Sequence, residues 1–122
     1  MRGLSLAALA ALAGCTGSST GWRAAPTYQA LGHEPAWTLT MRGTRLKFAG
    51  ADPQTLVELA APVAQPTAYG RRYLTPRLTL EITARPCNDA MSGVAFKDTV
   101  TVTVDGYSYQ GCGGERVPML DV

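Results

Sequence analysis

The sequence is poor in the residues from which most catalytic and metal sites are built. Its 122 residues hold one histidine, His33, three cysteines, and 11 basic against 9 acidic side chains. His33-Glu34 with Asp89 supplies three donors on paper, but no spacing in the chain enforces a metal-ligand set, so neither a metal nor a cofactor is expected. Ser92 with His33 and Asp89 names the members of a nucleophilic triad, yet Ser92-Gly93 belongs to no elbow motif. The acids are scattered over turns and outward strand positions, which argues against a carboxylate pair held across a cleft. There is no clustered basic footprint, Arg71-Arg72 being too short a run, and this excludes nucleic acid as a partner. No segment repeats, and none shows the 3.6-residue apolar period of an amphipathic helix. The one long apolar run, Leu4 to Ala13, extends about 15 Å as a helix, roughly half the hydrocarbon core of a bilayer, and is too short to span it.

What that run fits is an export signal. Met1-Arg2 gives a positive start, the apolar core follows, and small residues lead into Cys15. Leu12-Ala13-Gly14-Cys15 resembles the lipobox of bacterial lipoproteins, in which the cysteine becomes the lipidated first residue of the mature chain. The expected organisation is therefore a signal peptide over 1–14, a lipidated Cys15 with a flexible tether over 15–26, and a β domain over 27–122. The tether reading rests on its Thr, Gly, Ser and Ala content; Trp22 within it suits a place against the domain or at the bilayer surface. Loss of Arg2 with the signal leaves ten basic and nine acidic side chains, a net charge near +1. With Cys15 used as the anchor, Cys87 and Cys112 remain, and they read as one disulfide, which an exported compartment permits. Closing a loop of about 25 residues stabilises a domain by about 3.5 kcal/mol on the chain-entropy model.

From Tyr28 onward the apolar period is two. Trp37, Leu39 and Met41 alternate with Ala36, Thr38 and Thr40; Arg42-Gly43-Thr44 turns the chain; Leu46 and Phe48 return it. After the breaker cluster Gly50-Ala51-Asp52-Pro53, Thr55 to Ala60 predicts a shorter strand, and Ala61 to Thr67, with two prolines, a loop. Tyr69 to Leu74 reads as an edge strand kept soluble by its arginines. Leu78, Leu80 and Ile82 form the cleanest alternation, ended by Pro86. Cys87 to Gly93 predicts a compact turn or a single helical turn. Val100, Val102 and Val104 alternate with threonines up to the hairpin signal Asp105-Gly106, and Tyr107 and Tyr109 lead back to Gly111-Cys112. The expected fold is all-β, a small antiparallel barrel or sandwich of six to eight short strands with one disulfide, and closure is favoured because it removes edges.

Two stretches stand out as a candidate binding surface: Glu34 and Trp37, and the corner residues Asn88, Asp89, Met91 and Ser92. Trp37 is large enough to be the central plug of the core, with Glu34 accepting hydrogen bonds that close one barrel end; alternatively both line the mouth beside the Cys87 corner. Asp89 and Ser92 suit hydrogen bonds to the local backbone.

Gly32-His33-Glu34-Pro35-Ala36-Trp37, then Cys87-Asn88-Asp89-Ala90-Met91-Ser92, then Gly111-Cys112, resembles a family of bacterial envelope lipoproteins of uncharacterised activity. Its usual pattern is Gly-x-Glu-Pro-Phe/Trp-Trp, Cys-x-Asp-Gly-Met-Ser, a Tyr-Pro turn, a valine-rich strand and Gly-Cys. The chain departs from it at Ala36, at Ala90 and at Val94-Ala95-Phe96, and the slot of His33 usually holds another polar residue. The family is loosely similar to META/heat-shock lipoprotein domains and to membrane-bound lysozyme inhibitors, both small β domains on lipid anchors. The lipobox and the expected bridge lead to a periplasm-facing domain held to the membrane, expected as a monomer, and the resemblance to lipoproteins implies that Thr16 after the anchor cysteine directs it to the outer one. The resemblance implies no established activity; with no coherent catalytic set in the sequence, no enzyme is expected, and the expected role is binding or envelope maintenance. Inhibition of an enzyme such as lysozyme, or sensing of a small ligand or metal by Glu34, His33 and Asp89, are the rival expectations.

Overall fold

Strands that alternate apolar and polar residues bury one face only, and the chain solves this by curling a single sheet so that its apolar face lines the inside. The computed structural model describes residues 27–118, so the expected signal peptide, lipidated Cys15 and tether lie outside the described residues. Ten strands follow in order: β1 (Thr27–His33), β2 (Ala36–Arg42), β3 (Arg45–Ala51), β4 (Gln54–Ala60), β5 (Gln65–Pro66), β6 (Gly70–Leu74), β7 (Leu78–Thr83), β8 (Cys87–Asn88), β9 (Ala95–Val104) and β10 (Tyr107–Arg116). All pairings are antiparallel, and there is no helix among the described residues. The sheet order is β4-β3-β2-β1-β10-β9-β7-β6-β5, with β8 added beside β9, a curled half-barrel. Eight of the strands have five residues or more, which meets the expected number, although β1 precedes the hairpin expected to come first; β5 and β8 are two-residue additions.

The inward positions are those the period of two picks out. Trp37, Leu39, Met41, Leu46, Phe48, Val57, Leu78, Leu80, Ile82, Val100, Val102, Val104 and Tyr109 are buried in one cluster. In β4 the crowded run resolves: Val57 opposes Phe48 inside, while Leu56 points outward and is 60% exposed. Gly50 and Ala51, expected in a breaker cluster, belong to β3, and Asp52-Pro53 alone makes the turn. The Asp105-Gly106 hairpin forms as expected, with φ of 49° and 86° at its two residues. That left-handed geometry matches the twist of the strands it joins.

The sheet does not close as expected. Among the described residues no ladder joins β4 to β5, which remain the two edges. Pro62 in the link and Pro66 in β5 explain this, since neither has an N–H to donate to a ladder. β6 lies one strand in from the edge and is covered only by the two residues of β5.

Candidate functional site

β1 and β2 meet at the Glu34-Pro35 turn, and the first inward residue after it is Trp37. Its indole fits because the floor beneath it carries no side chains. A Cβ on Gly32 would come within 2.1 Å of Nε1, and one on Gly111 within 2.9 Å of the ring. Nε1–H donates to the Gln110 carbonyl at 3.2 Å, and the ring lies 6.1 Å from Phe48 and 6.5 Å from Tyr109. Trp37 is 3% exposed, and of its two readings the core plug is the one observed. Glu34 does not share that duty: it is exposed, and no side-chain hydrogen bond joins it to another described residue, so the expected closure of a barrel end by Glu34 is absent.

The second element is the corner after β7. Cys87 is bonded to Cys112 with Cα atoms 5.4 Å apart. β8 and β10 both lie beside β9, so the bridge ties two neighbours of one strand. Cys112 sits within β10, four residues before its end, rather than at the end of the last strand. Beyond Asn88 the chain makes a single turn. Gly93 N–H donates to the Asp89 carbonyl at 2.8 Å, and Asp89 N–H donates to the Val94 carbonyl at 2.8 Å, with Gly93 at φ 72°. Within this turn Asp89 is 7% exposed, and Oδ2 accepts from both the hydroxyl and the backbone N–H of Ser92. The other oxygen, Oδ1, lies 2.9 Å from His33 Nε2 at the end of β1. The Ser92 hydroxyl, with a smaller contribution from His33, holds the Asp89 carboxyl below its ordinary 3.8 against the opposing effect of burial.

The structure thus brings Ser92, Asp89 and His33 together, but with the carboxylate in the middle. A nucleophilic relay needs imidazole between hydroxyl and acid, so that the ring can take the hydroxyl proton. Here the hydroxyl already donates to the carboxylate, and the histidine holds the opposite oxygen. The arrangement locks a loop to β1. Among the described residues no three side chains of His, Cys, Asp and Glu gather closely enough to hold a metal ion.

Of the candidate surface residues, Glu34, Asn88, Asp89 and Met91 line one shallow hollow of about 410 Å³ beside His33 and Gly111. Met91, at the tip of the turn, is 74% exposed. Trp37 borders a different hollow of about 440 Å³ on the far side of His33, with Ala36, Ala49 and Ala51. Ser92 lines neither and acts by fixing Asp89.

A further polar group at the opposite end of β1 escaped the sequence reading. Tyr28 donates its hydroxyl to Asp98 Oδ2 at 2.9 Å, and the Arg71 guanidinium sits 5.2 Å over the Tyr28 ring while its Nε–H donates to the Tyr73 hydroxyl at 3.1 Å. Burial, with the Asp98 carboxylate second, pushes the Tyr28 phenol far above its ordinary range. The signal was present in parity: Asp98 shares the face of Val100, and Arg71 opposes the inward Ile82. Compared with known proteins, the chain matches no protein-family model, no curated protein and no solved structure.

Proposed function

We propose that this chain is an envelope domain held to the membrane by lipid on Cys15, exported to the periplasm, monomeric and non-catalytic, whose Cys87–Ser92 corner is a contact surface for an envelope protein. The leader residues and the lipobox resemblance support the anchor, and a bridged cysteine pair suits an oxidising compartment. One observation carries the binding reading: Met91 stands 74% exposed on a turn fixed by a disulfide on one side and by the Asp89 hydrogen bonds on the other. A rigid loop loses little conformational entropy on docking, and an exposed thioether is an adaptable apolar contact. Glu34 and Asn88 supply a polar rim to the same hollow.

A photo-crosslinking residue placed at Met91 in cells should give a discrete adduct that the same probe at Leu56 does not give. Adducts of equal pattern from both positions would count against the corner. Cys15→Ala should release the chain from the membrane fraction and abolish palmitate labelling; retained membrane association would remove the anchor reading. The same preorganised loop also suits an inhibitor entering an enzyme cleft. Titration against lysozyme tests that second reading, and undiminished activity at micromolar domain concentration discards it.

A further inference from the structure

We propose that the concave face holds a second binding site, centred on Arg71 and separate from the Cys87 corner, for a small carboxylate that carries an apolar body. Arginine at an inward position of a curled sheet is unusual, because the guanidinium gives up water and cannot shed its charge. Arg71 opposes Ile82 and its neighbour Tyr73 opposes Leu80, so both point to the core side. Four other basic side chains meet a carboxylate: Lys47 with Glu58, Arg72 with Glu81, Arg77 with Asp105 and Lys97 with Glu115. Of the five described arginines in no such pair, Arg42, Arg45, Arg85 and Arg116 are exposed and Arg71 alone is half-buried.

Its orientation is nonetheless fixed. Nε–H is committed to the Tyr73 hydroxyl and the planar group lies over the Tyr28 ring. This leaves the terminal nitrogens as a fork, the geometry that takes a carboxylate through two parallel hydrogen bonds. The space in front of it is a hollow of about 530 Å³, walled on its apolar side by Met41, Ala61, Pro62 and Val63. That size lies within the roughly 300–1,000 Å³ of small-molecule sites. The open seam between β4 and β5 gives entry, and Val63 at the mouth is 89% exposed. The adjoining hollow on the other side of Tyr28 is lined by Arg42, Lys97, Asp98 and Glu115, whose mixed signs favour no single charge. One cation, one oriented fork and an apolar wall select an anion with a hydrocarbon body over either part alone.

Decanoate added to the full chain is the probe, with acetate and decan-1-ol as the two halves of the ligand. Calorimetry should show decanoate saturating one site per chain, with acetate and decanol at least tenfold weaker. Arg71→Gln should weaken decanoate at least tenfold and leave decanol unchanged, whereas Arg72→Gln should change nothing. Amide chemical shifts of the unmutated chain supply a readout that needs no variant: decanoate should move Ala61, Val63, Arg71 and Tyr73. No saturable binding, equal binding to wild type and Arg71→Gln, or shifts confined to Asn88–Ser92 would each overturn the site.

Discussion

His33, the last residue of β1, places Nε2 2.9 Å from Oδ1 of Asp89, so the first strand is fastened to the disulfide corner by a side-chain contact as well as through the sheet. Ser92 completes the arrangement on Oδ2. Because these partners lower the folded-state pKa of Asp89, the stabilisation is fully present above the ordinary 3.8 and is lost as pH falls through the depressed folded value. Asp89→Asn removes that charge while keeping the side-chain shape. Its thermal midpoint should lie below that of the wild type at pH 7, and the two should converge as pH is taken below 3.8 and on through the depressed value. A gap that persists undiminished in acid would show that the carboxylate charge plays no part.

The glycines under Trp37 make a sharper test of packing. A Cβ on Gly111 would fall 1.9 Å from the Leu31 backbone carbonyl, so Gly111→Ala should force β1 from β10 and abolish folded protein. Gly32→Ala meets the Trp37 ring as well as the Gln110 carbonyl at 2.5 Å, so Trp37→Phe should relieve its cost only in part. Trp37→Phe alone orphans the Gln110 carbonyl and should cost roughly 1–3 kcal/mol in denaturant unfolding.

These residues also show what the sequence could and could not convey. Alternation placed β2, β3, β7 and β9 and chose their inward faces, because a period of two leaves one solution for burying an apolar stripe. Asp105-Gly106 announced its hairpin through turn chemistry. Asp98 and Arg71 were not legible because a charge at an inward position reads as noise until its partner, here Tyr28, is beside it: the β1–β10–β9 order brings Asp98 there, and the curl of the sheet brings Arg71 from β6. Strand order is set by non-local pairing, and no local pattern records it. The sheet stays open for a reason that is legible in the sequence: the two prolines of the 61–67 segment lack the N–H groups that a closing ladder needs, and this outweighs the advantage of removing edges.

The disulfide joins residues 25 apart in sequence. Replacing Cys87 and Cys112 together by alanine should lower unfolding free energy by about 3.5 kcal/mol if chain entropy accounts for the effect. The strand signal in circular dichroism should persist at room temperature, because the core strands pair independently of the bridge. Denaturant melts of the double variant and of reduced wild type should agree; a variant that stays as stable as the oxidised protein would show that the corner is held by Asp89 and its partners alone.

The two edges differ in their tendency to recruit another chain. β5 is two residues long and contains Pro66, which makes it a poor template. β4 offers seven residues, pairs only with β3 among the described residues, and carries on its outer face Leu56 and a Glu58 that lies 3.7 Å from Lys47. Two copies added antiparallel and centred on Val57 would set Leu56 opposite Glu58, avoiding contact between like charges. The monomer expected of this domain therefore depends on one partly blunted edge. Leu56→Glu, which sets two carboxylates opposite each other in this register, should leave stability within about 0.5 kcal/mol, as for most surface changes, and raise the concentration at which the chain self-associates. Glu58→Leu should lower it. Sedimentation over a concentration series measures both, and indifference of the association to either change would place any self-contact elsewhere than on β4.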